Sequence, residues 1–392
     1  MTLKLFSKSV IFKIIITIVI FYSIIIWLPI NQNYTFEAAV TQWDAYGYKE
    51  ISKFGYVLND VKFPDNIRFG AFYPGLPLIL YFSNYFGLPY LIYFLNFVIY
   101  CIFSYVLYNF IVKKWYKDAK DDNKSTFIFW SFCLFPFSAF LHFNYTEIYF
   151  LLGAIWALDL ILDKKVWKSQ IPAVIIGFFR PTALPFGLFA WILYTVESYK
   201  NRANFVFKKY ILESLGFLSY TVGTLCLYAF DQIKYGNWRL FYDSQQFFFH
   251  KKNNPDFIMQ TIREVSGNVN MWYNNEPSLP EMINEYGFTF YGKEFNLAFL
   301  LWFPFTVAII GSIVLIKQKK YYWLAYSWGL LIPTLLSNTV SFNRYLLTSF
   351  PLIFAFNELF YKNKLTQYFL LIVYSFFFLL TIVLFTHGFW VG

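Results

Sequence analysis

The chain alternates between apolar runs approaching twenty residues and short basic interruptions, and this alternation persists along its length. A helix needs roughly 20 apolar residues to cross a bilayer, whereas a β-barrel strand shows alternation over about ten. The pattern therefore predicts an all-α polytopic membrane protein. Candidate spans fall at about 11–30, 88–112, 126–142, 146–163, 171–196, 210–230, 297–316, 321–340, 345–361 and 365–387. The run 171–196 carries Arg180-Pro181 at its centre and Pro185 beyond. Proline removes a backbone donor and disfavours helix at the residue before it. This stretch is therefore either one kinked helix or two short helices meeting at Arg180.

Basic residues concentrate in short cytoplasmic loops of helical membrane proteins. With a cytoplasmic N-terminus and two short helices at 171–196, most of the basic residues fall on one side. They include Lys113, Lys114, Lys164, Lys165, Lys208, Lys317, Lys320, Lys362 and Lys364. A single span at 171–196 would put the Lys317–Lys320 and Lys362–Lys364 loops on the wrong side. The expectation is about eleven membrane segments in one integral-membrane domain, 1–392, with two large external loops at about 31–87 and 231–296. Both loops are expected to carry interfacial helices, one of them over Tyr73–Phe86. The run from Ile14 to Ile30 exceeds the apolar region of a secretory signal and reads as a retained first helix.

Composition narrows the class. Of 392 residues, 58% are hydrophobic and 14% charged, against about 25% charged in soluble domains, which excludes an ordinary cytosolic enzyme. The net charge of +10 follows the loop asymmetry and is not a nucleic-acid footprint. Cys101, Cys133 and Cys226 all fall in apolar spans, so neither a disulfide framework nor a Cys/His metal motif is expected. The chain also lacks a phosphate-binding GxxxxGK[ST] loop, HExxH, GxSxG and CxxC.

Ionisable groups embedded in membrane helices are costly and usually face a cavity. The topology brings Asp44, Glu147, Arg180 and Arg344, from four separate segments, to the same external face. Asp44, in QWDAYGY, could serve as a general base at the mouth of a cavity or simply open a helix as an N-cap. Glu147, in NYTEIYF, is either part of such a site or an acid favoured by a helix N-terminus. Arg180 and Arg344 either snorkel to the interface or clamp a phosphate in fork geometry. His142 reads more simply as a packed interfacial histidine than as a ligand. Asn33-Tyr-Thr and Asn144-Tyr-Thr are formal glycosylation sequons, a weak pattern by itself.

WDAYGYKEISKFGY followed by FYPGLPLI resembles the signature of the PIG-V-like membrane mannosyltransferases, which belong to the GT-C superfamily of polyprenyl-phosphate-sugar-dependent glycosyltransferases. NYTEIYF, FRPTALPFG, WRLFYDSQQFFF and NRYLLTSFPL are similar to later elements of that family, in the same order. The return motif reads FYPGLP where the family has an FFPLYP-like sequence, and Thr182-Ala183 stands where a glycine often falls. The resemblance implies inverting transfer of mannose or a related hexose from a polyprenyl-phosphate donor to a glycan or glycolipid acceptor on the external leaflet. It casts Asp44 as base, Arg180 and Arg344 as ligands of the donor phosphate, and Glu147 as an orienting acid. Gln245 would line the acceptor side. Trp43, Tyr56, Tyr73, His142 and Tyr345 are further substrate-binding candidates. An aspartate and a glutamate among arginines can carry such chemistry without a cofactor, and a divalent cation is left open. With no endoplasmic-reticulum signal, a prokaryotic cytoplasmic membrane is expected.

Two other readings compete. A flippase or transporter of polyprenyl-linked glycans would more naturally show internal repeats and midplane polar groups. A glycan polymerase or ligase would also use a large external loop and arginines, but would lack the WD after the first helix.

Overall fold

The computed structural model describes residues 37, 40–56, 70–88, 90–116, 122–200, 206–248, 288–290, 293–295, 298–335 and 341–386. The expected span at 11–30, the stretch 57–69 of the first expected external loop and most of the second lie outside the described residues.

The architecture is helical. Helix α1 (Asp44–Phe54) and α2 (Gly75–Tyr85) are short and pack on each other. Helix α3 (Leu91–Phe110) continues through a π-helical turn at Ile111–Trp115, followed by α4 (Asp122–Cys133) and a 3-10 segment at Pro136–Leu141. Helix α5 (Glu147–Leu162) packs against both α3 and α6 (Val166–Phe179). Next come α7 (Ala183–Lys200), α8 (Phe207–Gly216) leading through a 3-10 turn into α9 (Val222–Tyr235), and α10 (Leu240–Phe248). The final group is α11 (Ala298–Lys317), α12 (Tyr321–Leu335), α13 (Phe342–Thr348), α14 (Phe350–Asn357) and α15 (Lys364–Thr386). A two-stranded antiparallel hairpin, β1 (Phe288–Phe290) with β2 (Lys293–Phe295), pairs Thr289 with Glu294. That hairpin lies within the expected second loop; every other described element is helical, as the all-α expectation has it.

Among the described residues three helical stretches are long and apolar enough to cross a membrane: Leu91–Trp115, Phe207–Tyr235 and Lys364–Thr386. Their outward faces are apolar too. On α15, Leu365, Phe369, Ile372 and Phe376 recur at helical spacing and are each exposed by more than 60%. Helix α6 likewise turns Trp167, Ile171 and Ile175 outward. A helix hydrophobic all round suits a bilayer, where the outer face meets lipid and the inner face packs.

Several expected spans are interrupted for identifiable reasons. The run 171–196 is two helices, with Arg180 extended (φ −151°, ψ 143°) between them, as Pro181 requires. The run 126–142 leaves α-helix at Cys133, where extended Phe135 precedes Pro136. The run 345–361 breaks at Ser349, and Pro351 in the first turn of α14 restarts it.

The inner faces form one aromatic-rich core in which Trp323, Phe110 and Phe350 meet edge to face and Phe143 stacks on Phe385 at 4.0 Å. Buried polar side chains are tied across helices. Asn357 donates to Ser131 Oγ (2.9 Å) and accepts from the Tyr374 hydroxyl (2.9 Å), joining α14, α4 and α15. At their closest approach α6 and α9 meet backbone to backbone, since a Cβ on Gly223 would overlap the Gly177 carbonyl. Small residues permit such packing where helices must approach closely.

Candidate functional site

The site is assembled at chain breaks and helix starts. Asp44 is the first residue of α1 and Glu147 the first of α5, so both carboxylates sit where unpaired amides favour negative charge. Neither helix has a side-chain cap bond at its N-cap residue, Trp43 or Thr146. Trp43 has a φ of 55°, an uncommon conformation for a bulky residue and one associated with functional sites. Arg180 projects from the extended residue between α6 and α7, and Arg344 from the first turn of α13.

These four side chains form a chain of alternating charge. Arg344 Nη2 lies 2.8 Å from Asp44 Oδ2, and Arg344 Nε lies 3.9 Å from Glu147 Oε1. The same Glu147 oxygen stands 2.6 Å from Arg180 Nη1. The order is thus Asp44, Arg344, Glu147, Arg180, and the formal charges cancel. Side-chain exposure is 1% at Glu147 and 6% at each arginine, but 24% at Asp44. Isolated buried charges would be very costly, and here each is paired. Asp44 alone among the four opens outward.

Aromatic rings hold the guanidiniums in place. Arg180 lies over the Tyr345 ring at 4.7 Å, and Arg344 over Tyr145 at 4.9 Å and Phe140 at 5.6 Å. Arg344 Nη2 also donates to Ser341 Oγ at 2.9 Å. The Tyr145 hydroxyl donates to the Gln42 carbonyl at 3.3 Å, which links the Arg344 platform to the turn that presents Asp44. Behind the charges, Tyr149 donates to Asn96 (2.6 Å) and Asn96 donates to Asn144 (3.0 Å), all three buried. Asn144 is therefore a structural amide, and its sequon is enclosed in the fold.

The structure brings Asp44, Glu147, Arg180, Arg344 and Tyr345 together, with Trp43 adjacent to Asp44 and 48% exposed. It groups other expected residues elsewhere. Tyr56 and Tyr73 belong to a second buried cluster with Ile51 and Leu227. There Tyr56 donates to the Phe72 carbonyl (2.8 Å) and Tyr73 pairs with the Thr224 hydroxyl (3.0 Å). His142 is a core residue, 4.2 Å from the Tyr100 ring and edge-on to Phe378. Gln245 falls on α10, and its side chain lies outside the described residues. Sequence reasoning did not single out Tyr145, Phe140 or Ser341, which hold Arg344. Their signal was proximity to Glu147 and Arg344 in the chain, diluted by the abundance of aromatics. Asp231, wholly buried on α9, was also missed.

Among the described residues no three His, Cys, Asp or Glu side chains converge as a metal-ligand set. Chemically, the arrangement offers one accessible carboxylate beside two fixed cations, suited to an anionic substrate next to a proton acceptor. Fold and site together define a helical protein with helices long and apolar enough to cross a membrane and a buried charge chain that surfaces at Asp44. No family model, no curated protein and no solved structure matches the chain.

Proposed function

We propose that the protein is a membrane glycosyltransferase that moves a hexose, mannose or a close relative, from a polyprenyl-phosphate donor to a hydroxyl of a glycan or glycolipid. The observation that carries this reading is the alternating chain Asp44–Arg344–Glu147–Arg180, with its one exposed end a carboxylate. The resemblance of WDAYGY, FYPGLP and NRYLLTSFP to PIG-V-like sequences supports the same reading.

In this mechanism Asp44 takes the proton of the acceptor hydroxyl as its oxygen attacks the anomeric carbon. The new C–O bond forms as the bond from that carbon to the phosphate oxygen breaks, with inversion. The leaving polyprenyl phosphate carries the electron pair away and needs no proton to be stable. Arg344 and Arg180 face the charge gathering on it, the kind of fixed electrostatic stabilisation that lowers a barrier most. Glu147, enclosed between the arginines, is a positioning residue that keeps both aimed. The orientation follows the loop charges: about eleven membrane segments, with Asp44 on the external leaflet of a prokaryotic cytoplasmic membrane.

The deciding experiment incubates purified protein with a panel of radiolabelled polyprenyl-phosphate hexoses and acceptor glycolipids, with and without EDTA. Sugar transfer from at least one donor is expected. Failure of every donor either to bind or to turn over would sink the reading, and the EDTA arm reports any divalent requirement.

A further inference from the structure

We propose that Arg344 is held in turn by Asp44 and by the donor phosphate, so that an arriving donor displaces the base from its ion pair and thereby frees it. The inference rests on the transferase reading above and adds an order to it: donor first, then an available base.

Three observations carry it. First, Arg344 is fixed by several neighbours. Its guanidinium is stacked on Tyr145 and Phe140, bonded to Ser341 Oγ at 2.9 Å, and turned by Nε toward Glu147 at 3.9 Å. Its contact with Asp44 Oδ2, at 2.8 Å, is on the more open side, with Asp44 24% exposed against 6% for Arg344. An anion coming from outside meets Arg344 where Asp44 now sits.

Second, the charges leave no surplus. Two carboxylates balance two guanidiniums, so a further anion held beside the intact set would be uncompensated in a poorly hydrated site. A polyprenyl-phosphate sugar is a phosphodiester with one negative charge, the same as a carboxylate. Exchange at Arg344 is then one for one and preserves the balance around the buried arginines. Phosphate oxygens also suit the fork of a guanidinium.

Third, the ion pair occupies an oxygen of the base. Oδ2 of Asp44 lies 2.8 Å from Arg344 Nη2 as its ion-pair partner. Proton transfer requires the base within hydrogen-bond reach of the acceptor hydroxyl. Releasing Asp44 from Arg344 turns that oxygen toward the incoming acceptor. Asp44 is the short side chain at a half-open helix start, while Arg344 is enclosed, so Asp44 is the partner that yields.

The test measures binding of farnesyl methyl phosphodiester, a donor mimic with the single charge and no sugar, to full-length protein in detergent. Removing the competing carboxylate should tighten binding: Asp44→Asn is expected to bind roughly fivefold better than wild type, about the effect of one partly exposed ion pair. Asp44→Ser, neutral and shorter, should show the same gain and guards against a defect peculiar to the amide. Arg344→Met should lose binding in either background. If wild type binds, Arg344→Met does not, and both Asp44 variants bind no better than wild type, the exchange is wrong and the transferase reading stands. If neither wild type nor either Asp44 variant binds, the phosphate-donor reading falls and the exchange with it.

Discussion

Arg180 Nη1 and Glu147 Oε1 stand 2.6 Å apart inside the protein, at side-chain exposures of 6% and 1%. Glu147 is held by the first turn of α5, and Arg180 by a non-helical residue that Pro181 keeps extended. Two local rules, a carboxylate at a helix N-terminus and a break before proline, thus converge on one ion pair. Removing one member of a buried pair leaves the other uncompensated, at a cost of about 3–5 kcal/mol. Glu147→Gln and Arg180→Met should each lower the thermal midpoint, followed by tryptophan fluorescence in detergent. The double variant Glu147→Leu with Arg180→Met should recover much of that loss without recovering transfer. Equal stability in all four proteins would mean that the pair contributes nothing.

Asp44→Asn keeps an acceptor oxygen for Arg344 but cannot take a proton. Loss of a general base typically costs about 10²–10⁴-fold in rate. Sugar transfer should fall by that order while thermal stability changes little, because Asp44 is the exposed member of the chain. Transfer at the wild-type rate would remove Asp44 from the base role.

Gly223 supplies a test of packing remote from the charges. A methyl group there would overlap the Gly177 carbonyl and lie 2.5 Å from the Phe178 nitrogen, both of them backbone groups. Backbone cannot step aside as a flexible side chain can, and overpacking usually costs about 1–3 kcal/mol. Gly223→Ala should reduce thermal stability by at least that much. A midpoint equal to wild type would show that α6 and α9 are less tightly joined.

Glu358 gathers donors from three elements. Trp115 Nε1 (2.8 Å) and the Tyr116 hydroxyl (2.6 Å) donate to one oxygen, Gln318 Nε2 donates to the other, and Lys124 and Lys320 each lie 3.9 Å away. Glu358→Ala would leave these partly buried donors unmatched, at about 1–3 kcal/mol for each that stays dry. Glu358→Gln retains the acceptor oxygen and should lose less. Unfolding midpoints of the two variants, compared directly, check the ranking.

Orientation can be read with single cysteines after Cys101, Cys133 and Cys226 are replaced. Cysteine at position 46, next to the site on α1, should react with an impermeant maleimide in intact cells. Cysteine at Lys165 or Lys319 should react only after permeabilisation. The reverse pattern would invert the proposed topology.

Helical class and the break at Arg180 were legible in the sequence because each follows from a strong local signal, the length of apolar runs and a proline. Convergence of the four ionisable residues was legible for a coarser reason: loop charge placed all of them on one face. Their pairing was not. Asp44 and Arg344 are far apart in the chain, and nothing local distinguishes Arg344 from Arg180 as the partner of Asp44. The N-cap reading of Asp44 was one residue out: Trp43 is the N-cap, Asp44 the first residue of α1, and its carboxylate turns to Arg344. Tyr56 and Tyr73 looked equal to Tyr345 as candidates because aromatic residues are abundant here. Only packing separates the ring under Arg180 from the two that close a different cluster.

The glycine contacts around α6 have a mechanical meaning. Gly177 abuts Gly223, and Cβ atoms on Gly75 and Gly153 would press on the Phe178 carbonyl and on the Ile176 side chain. Where main chain touches main chain there is no compliant layer of side chains to shear or compress. Helix α6 is clamped by its neighbours on α2, α5 and α9, so the end that carries Arg180 behaves as a rigid anvil. Any widening at the charged site therefore falls not to α6 but to the half-buried start of α1, where Asp44 sits.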